Sequence, residues 1–159
     1  METKPNYFPK EIIKSNFLIK HYKLNFEVIS CIQASIAKNI PVRNELKSII
    51  LSTSKGYCAV HMCGDRKVNL REVKNFLNCK QASLCSTEEL SKMGLSPGKV
   101  CPLIEPTWGL QHLISRQVLH LKNVSTNDGT RTGYYTFSPK ILLLTKLHQL
   151  GLFTTPISK

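Results

Sequence analysis

The sequence of 159 residues lacks the features that mark membrane and secreted proteins. No apolar run approaches the roughly 20 residues that a membrane-spanning helix needs. The longest candidate, ILLL at 141–144, is only a fragment of a helix face. The N-terminal region carries lysines throughout and has no apolar block of the signal-peptide kind. We therefore expect a cytoplasmic protein with no membrane partner.

Metal-ligand pairs and disulfide frameworks are also missing. The six cysteines form no C-x-x-C pair, and a domain of this size does not need disulfides for stability. Cys58 and Cys63, with His61 between them, are the only cluster that suggests a metal. No second pair exists, and in a strand the two cysteines would point to opposite faces. We expect structural free thiols, with no metal and no cofactor.

Acidic residues are scarce. Ten Asp and Glu stand against 22 Lys and Arg, which gives a net charge of +12. The basic residues are spread along the chain without a block, which indicates a broad basic face rather than a tail. Such a face favours a polyanionic partner and nucleic acid above all, although solubility alone is the alternative. Because 42% of the residues are hydrophobic, the chain is not a disordered tail.

Local patterns predict the elements of the first half of the chain. An amphipathic helix is expected from Pro9 to about Lys23, and the alternation of LNFEVISC (24–31) predicts a half-buried strand. A short helix over 32–40 should end at Pro41. ELKSIILST and GYCAVHMCG, joined by Ser54-Lys55-Gly56, predict a β-hairpin.

In the second half, helix starts are expected at Asn69 and at Ser86, since each is followed three residues later by a glutamate. VCPLI (100–104) and QVLHLKN (117–123) are predicted as strands. NDGTRTG (127–133) is predicted as the turn that leads into the partner strand GYYTFS.

A last helix is expected to be capped by Ser138, with Pro139 first, and to end at Gly151. The predicted class is α/β (α+β), with a mixed, largely antiparallel central sheet flanked by helices. We expect one domain over 1–159, with an N-terminal helix over 1–23 and a core over 24–145.

The stretch MGLSPGKVCPL (93–103) is the most distinctive loop. Gly94 follows the predicted helix at a position where glycine is favoured, and Pro97-Gly98 is a turn dipeptide. A helix stop and a turn explain these residues fully. The same loop would also expose several backbone N–H groups on one side, which could bind a carbonyl oxygen or a phosphate.

Several segments in order resemble the YbaK/ProX family of aminoacyl-tRNA editing domains, of the type associated with prolyl-tRNA synthetase. They are Lys47 at the start of the SIIL strand, CGDRKVNLREVKNFL, ASLCSTEELSKMGLSPGKVCPL and NDGTRTGYYTFSPKIL. Together they span roughly residues 24–145, and 64–103 is the most specific part. The resemblance implies the family's fold and a trans-acting hydrolase that removes the wrong amino acid from tRNA, often tRNA for proline. The implied partners are the aminoacylated 3′ end of tRNA and prolyl-tRNA synthetase.

The resemblance also implies site residues. The lysine characteristic of the family corresponds to Lys47, and the family's glycine–proline loop corresponds to Gly94, Pro97 and Gly98, which we expect to be catalytic. The substrate-binding residues implied by the same motifs are Lys99, Cys101, Pro102, Asn127, Gly129 and Arg131. Backbone amides of the loop would hold the ester carbonyl or the terminal ribose, and Lys47 would act as a fixed cation. Water, or a group on the substrate, would attack, so no cysteine is needed as nucleophile.

The chain departs from the family pattern in four places. Asn127 replaces the usual serine, Leu103-Ile104 replaces Phe-Gly or Leu-Gly, and QHLISRQ lacks a frequent acidic residue. The helix before Lys47 is also shorter than usual. Two hypotheses follow: a deacylase of tRNA for proline carrying a small amino acid such as alanine or cysteine, or a non-catalytic module that binds tRNA or a synthetase.

Overall fold

The computed structural model describes residues 8–104, 107–144 and 148–156. Within these residues the strands are β1 (Ile19–Lys23), β2 (Leu46–Thr53), β3 (Gly56–Cys63), β4 (Arg66–Val68), β5 (Ala82–Leu84), β6 (Gln111–Ser115), β7 (Val124–Asn127), β8 (Gly133–Phe137), β9 (His148–Gly151) and β10 (Thr154–Pro156). The α-helices are α1 (Lys10–Ile13), α2 (Cys31–Lys38), α3 (Leu70–Leu77), α4 (Thr87–Lys92) and α5 (Arg116–Leu119). Short 3₁₀ helices cover Val42–Asn44, Thr107–Gly109 and Pro139–Leu144.

A five-stranded mixed sheet in the order β5-β2-β3-β6-β9 forms the centre of the fold. The strands β2 and β3 are the predicted hairpin, paired from Leu46 opposite Cys63 to Thr53 opposite Gly56. β5 pairs antiparallel with the end of β2, whereas β6 and β9 extend the sheet in parallel on the other side. The predicted mixed sheet flanked by helices is therefore confirmed.

A second, antiparallel sheet in the order β1-β8-β7 packs beside the first, and β4 pairs with β10. The largest apolar cluster joins the two main sheets: Ile19 and Tyr135 come from the second sheet, and Leu46 and Ile114 from the first. Smaller clusters lie on the two faces of the five-stranded sheet, one against α3 and one under α4. Burial of this apolar area is the main stabilising term of the fold.

The predicted helix starts are confirmed by their caps. The Asn69 side chain accepts a hydrogen bond from the Glu72 amide at the start of α3. At the start of α4, Ser86 and Glu89 exchange side-chain-to-backbone hydrogen bonds, as a capping box requires. These short-range signals involve residues three apart, so they act independently of the rest of the fold.

The prediction for the N-terminal region was wrong in part. The helix ends at Ile13, and Ile19–Lys23 forms the strand β1, which pairs with β8 and buries Ile19. Residues 24–30 form no strand. Two separated hydrogen bonds, from the Leu24 amide to Thr132 O and from the Val28 amide to Arg131 O, fasten them to the 127–133 turn instead. The predicted helix over 32–40 is confirmed as α2.

Two predicted strands were also wrong. Residues 100–104 bury consecutive side chains, Val100 and Cys101 among them, and Pro102 supplies no N–H for a ladder. Residues 117–123 contain most of α5. The strand that pairs with GYYTFS is the next segment, β7, because the turn brings Asn127 opposite Tyr134. The predicted turn and the strand after it are confirmed.

The predicted last helix is replaced by shorter elements. Pro139 does begin a helix, but it is the 3₁₀ helix that ends at Leu144. Gly151, expected at the helix end, is the last residue of β9, which hydrogen-bonds along β6. The intervening residues 145–147 lie outside the described residues. None of the helices in the described ranges has the length and hydropathy needed to cross a bilayer.

Candidate functional site

A cavity of about 260 Å³ lies where the start of β2 meets three loops. Its walls come from residues 24–34, from Glu45–Ile49, from the loop at Gly98 and Val100, and from the 127–134 turn. Because β5 pairs only with Leu51–Thr53, the first part of β2 has no strand on the cavity side within the described residues. The cavity therefore uses an open sheet edge as its floor.

Lys47 lies on this open edge as the second residue of β2. It is half-buried and lines the cavity, and its charge acts on the Cys31 thiol at the start of α2. Burial raises the pKa of Cys31, while the positive charge of Lys47 opposes that rise. The predicted cation therefore faces the cavity, beside a thiol that burial keeps protonated.

The glycine–proline loop reaches the cavity through Gly98. The Lys99 amide donates to Ser96 O at 3.1 Å, which closes a turn around Pro97-Gly98, and Gly98 has φ +75°. Gly94 also has a positive φ, +77°, directly after α4. The helix stop and the turn predicted from sequence are thus present. The Gly98 N–H has no hydrogen-bond acceptor among the described residues, so it is open to a ligand.

The positive φ of Gly98 makes a clean substitution test. A Cβ at Gly98 would meet no heavy atom within 4 Å, so Gly98→Ala adds backbone strain without a clash. We expect a loss of about 1–2 kcal/mol in the free energy of unfolding, measured by urea titration. Gly109 is the matched control, since its Cβ would also meet nothing within 4 Å and its φ is not in the positive range. Equal losses in both variants would contradict the strained turn.

Asn127, at the end of β7, joins the turn to the loop. Its Nδ2 donates to Val100 O at 3.0 Å, and its Oδ1 accepts from the Gly129 amide at 2.9 Å. Both polar ends of this side chain are thus used within the protein, although the residue lines the cavity. Gly129, with φ +93°, lies so close to Ile104 that a Cβ would be 3.0 Å from its Cδ1.

Asp128 holds the same turn against β1. The His21 ring donates through Nε2 to its Oδ2 at 2.8 Å, and the Thr130 amide donates to its Oδ1 at 3.0 Å. Burial alone would raise the pKa of Asp128, but the hydrogen bonds from Thr130 and His21 outweigh it and bring the pKa below its ordinary value. The charged carboxylate is therefore the form that stabilises the turn.

A pH dependence follows from the lowered pKa of Asp128. Its contribution is fully present above the ordinary aspartate pKa of about 3.9 and is lost as pH falls through the lower, folded-state value. We expect Asp128→Asn to cost about 1 kcal/mol of unfolding free energy at pH 7, and clearly less at pH 3. Urea titrations of both proteins at the two pH values measure this. A difference that stays constant or grows on acidification would contradict the assignment.

The structure does not bring the other predicted site residues to the cavity wall. Cys101 and Pro102 are buried, and burial raises the pKa of the Cys101 thiol to about 12. The remaining predicted residues are not among those that line the cavity: Gly94, Pro97, Lys99, Gly129 and Arg131. Of the predicted set, the cavity thus gathers Lys47, Gly98 and Asn127.

An ion pair in the cavity wall was missed by the sequence reasoning. Lys38 Nζ lies 3.0 Å from Glu45 Oε2 and 2.8 Å from Ser125 Oγ, and 4.3 Å from the centre of the Tyr134 ring. Burial lowers the pKa of Lys38 and raises that of Glu45, against the attraction between the two. Glu45 Oε1 has no hydrogen-bond partner within the described residues. A lysine at a helix end gives no sequence signal of such a pair.

Comparison with known proteins gives a family match over most of the chain. The family model of the aminoacyl-tRNA editing domain matches residues 27–143. A proline–tRNA ligase of Leptospira biflexa is 33% identical over 64 residues, which are 40% of this chain and 11% of the ligase. The chain thus matches only about a tenth of the length of that relative.

Solved structures share the fold at low identity. The hypothetical protein APE2540 superimposes with a TM-score of 0.79 at 19% identity, over 87% of this chain and 92% of its own. A structure described as "a putative trans-editing enzyme for prolyl tRNA synthetase" gives 0.78 at 20% identity, over 86% and 87%. The family model covers most of the chain, including β2, the glycine–proline loop and the 127–133 turn. The chain therefore belongs to the family of aminoacyl-tRNA editing domains.

Proposed function

We propose that this protein is a trans-acting aminoacyl-tRNA deacylase that hydrolyses the ester of mischarged tRNA. The substrate we propose is tRNA for proline that carries a small amino acid such as alanine or cysteine. The observation that carries the proposal is the convergence of Lys47, Gly98 and Asn127 on one cavity in a chain of the editing family. The net charge of +12 fits capture of a polyanion.

The size of the cavity favours a small ligand group. Its volume of about 260 Å³ lies below the ~300–1,000 Å³ of pockets that enclose drug-sized molecules. An aminoacyl group with part of the terminal ribose is of suitable size, whereas the rest of the tRNA would remain outside. Discrimination among alanine, cysteine and serine would rest on about 1–3 kcal/mol per added group.

An aminoacyl ester is already activated toward hydrolysis. The protein therefore needs to position the ester and stabilise the developing charge more than it needs a strong nucleophile. Attack on its carbonyl places negative charge on the carbonyl oxygen. The Gly98 N–H would donate to that oxygen, and Lys47 would stabilise the same charge or a neighbouring phosphate. Asn127 would act indirectly, since its amide holds the loop at Val100 against the turn.

A second candidate is a tRNA-binding or synthetase-binding module without activity. The internal use of both polar atoms of Asn127 favours it, since that side chain has less to offer a substrate. Prolyl-tRNA synthetase is a reasonable partner in either case, because the name of one similar structure and the matching ligase both point to that enzyme.

The test is deacylation of tRNA for proline carrying alanine, cysteine or serine, with prolyl-tRNA as the correctly charged control. Loss of labelled amino acid from the tRNA would be followed with and without the protein. We expect turnover of at least one mischarged species and no acceleration with prolyl-tRNA. Salt-sensitive tRNA binding without turnover of any species would favour the second candidate and contradict the first.

A further inference from the structure

A second cavity, of about 280 Å³, lies beside the cavity that Lys47 lines. Its walls come from Tyr22 on β1, from Tyr134 on β8, and from residues within 38–44 and 123–125. Lys38 and Tyr134 line both cavities, so the two spaces are neighbours. The deacylation proposed above uses only the first of them, which leaves the second without a function.

The second cavity lies on the face of the β1-β8-β7 sheet that points away from the core. Tyr135 and Phe137 are buried in the apolar cluster between the sheets, and they alternate along β8 with Tyr134 and Thr136. Because successive side chains of a strand point to opposite faces, Tyr134 and Thr136 lie on the other side of the sheet. Tyr22 is opposite Tyr134 in the β1–β8 register and shares that side.

Two stacked tyrosines form an aromatic wall of this cavity. The ring centroids of Tyr22 and Tyr134 are 5.1 Å apart, with 21° between the ring planes. Tyr134 also contacts the Lys38 ammonium, which lies 4.3 Å from its ring centre. Tyr134 is thus held by two neighbours and in turn orients Tyr22, which is 43% exposed. An oriented, exposed aromatic ring is suited to stack on a nucleobase, because every base has a π-face.

Amide groups of the same wall are available to a ligand. Asn44 Nδ2 donates to Asn123 O at 2.9 Å. Among the described residues, the Oδ1 of Asn44 and the side-chain amide of Asn123 have no further hydrogen-bond partner. An amide both donates and accepts, as the edges of nucleobases do. The wall therefore combines a stacking surface with groups that can bind a base edge.

The residues next to the lining residues are basic. Lys20 shares the face of β1 that lines the cavity, and Arg43 and Lys122 each precede a lining residue; all three are exposed. The acidic residue of this region, Glu45, is already paired with Lys38. Exposed cations beside aromatic rings are the combination by which proteins hold single-stranded nucleic acid, the cations at the phosphates and the rings at the bases.

We propose that the second cavity binds a nucleobase of the single-stranded 3′ end of tRNA, stacked on Tyr22. The inference rests on the proposed function, which puts the aminoacyl group in the first cavity. A base in the second cavity would be held next to the ester across the shared residues Lys38 and Tyr134. The second cavity would then supply affinity for the RNA whatever the amino acid, while the first discriminates among amino acids.

The first test uses uncharged RNA, so it does not depend on hydrolysis. A fluorescent RNA hairpin with the single-stranded end CCA is titrated with the protein, and anisotropy gives the Kd. We expect Tyr22→Ala to bind at least about fivefold more weakly than wild type, the effect of losing one stacked base. Tyr22→Phe keeps the ring and should bind as wild type does.

Tyr57→Ala is the matched control. Tyr57 is 42% exposed, nearly as much as Tyr22, and lies beside the hairpin turn at the start of β3. This variant should bind the hairpin as wild type does, and circular dichroism of each variant checks its fold. Unchanged binding by Tyr22→Ala would overturn the inference, and so would a wild-type protein that does not bind the hairpin at low salt.

A second test identifies the base. Three further hairpins each carry an abasic nucleotide at one position of the CCA end. We expect one of them to bind wild type at least about fivefold more weakly than the intact hairpin does, and to bind Tyr22→Ala as the intact hairpin does. Equal binding of all four hairpins by wild type would overturn the stacked base.

The outcomes separate this inference from the proposed function. Binding that depends on Tyr22 and on one base, without deacylation of any charged tRNA, would contradict the proposed deacylase and support the base site. Deacylation by wild type, with RNA binding that is the same in Tyr22→Ala, would overturn the base site and leave the deacylase standing.

Discussion

Replacing Lys47 by alanine is expected to lower the deacylation rate by at least about 100-fold, the loss seen when one charge-stabilising group is removed from an active site. The reason is its place on the open edge of β2, where it lines the same cavity as Gly98. The fold should be retained, since a half-buried lysine near a strand end contributes little to a core. The measurement is single-turnover hydrolysis of tRNA for proline that carries alanine.

Lys55→Ala is the matched control for this variant. Lys55 is exposed at the hairpin turn that follows β2, at the far end of the strand from the cavity. Lys55→Ala removes one positive charge, as Lys47→Ala does. Any general weakening of the attraction to tRNA should therefore appear in both variants. Equal deacylation rates for Lys47→Ala and Lys55→Ala would show that Lys47 has no specific role in the reaction.

Removing one partner of the Lys38–Glu45 pair is expected to cost about 3–5 kcal/mol of unfolding free energy. Both side chains are almost entirely buried, with 4% and 5% of their surface exposed. In Lys38→Met, the Glu45 carboxylate would lose its cation, and Ser125 would lose its partner. In Glu45→Gln, the Lys38 ammonium would lose its counter-charge. A loss of that size is a large fraction of the stability of a domain.

A double variant separates the charge effect from packing. Lys38→Met combined with Glu45→Leu removes both charges, so we expect it to be more stable than Lys38→Met alone. Lys92→Met, at the exposed end of α4, controls for the loss of a lysine. Urea unfolding of wild type, Lys38→Met, Glu45→Leu and the double variant measures the cycle. A single-variant cost below about 1 kcal/mol would mean that the pair is solvated rather than buried.

Elements governed by neighbours in sequence could be predicted. The Ser86 capping box, the turn that joins β2 to β3, and the Pro97-Gly98 turn each depend on contacts within a few residues. Elements governed by distant pairing could not. The segment Ile19–Lys23 is a strand because β8 lies beside it, more than a hundred residues along the chain, and the lysines of this segment suit either a helix or a strand edge.

The residues of the candidate site also fall into those that could be predicted from the sequence and those that could not. Lys47, Gly98 and Asn127 were identified from the resemblance, since their motifs keep their order in the chain. The Lys38–Glu45 pair was missed because its burial depends on packing against β7 and β8. Hydrogen bonds link Ser48 to His61 and His61 to His112, and only the register of β2, β3 and β6 brings these side chains together. The sequence alone shows His61 only as a neighbour of Cys58 and Cys63, in a cluster that suggests a metal.

The central claim is that the cavity beside Lys47 receives the charged end of tRNA. It is tested most directly by nuclear magnetic resonance with a stable mimic, an adenosine that carries alanine on a 3′ nitrogen through an amide. We predict concentration-dependent shifts of the backbone amides of Lys47, Ser48, Gly98 and Asn127, with smaller effects elsewhere. Shifts confined to other surfaces, or no shifts at millimolar mimic, would contradict the claim.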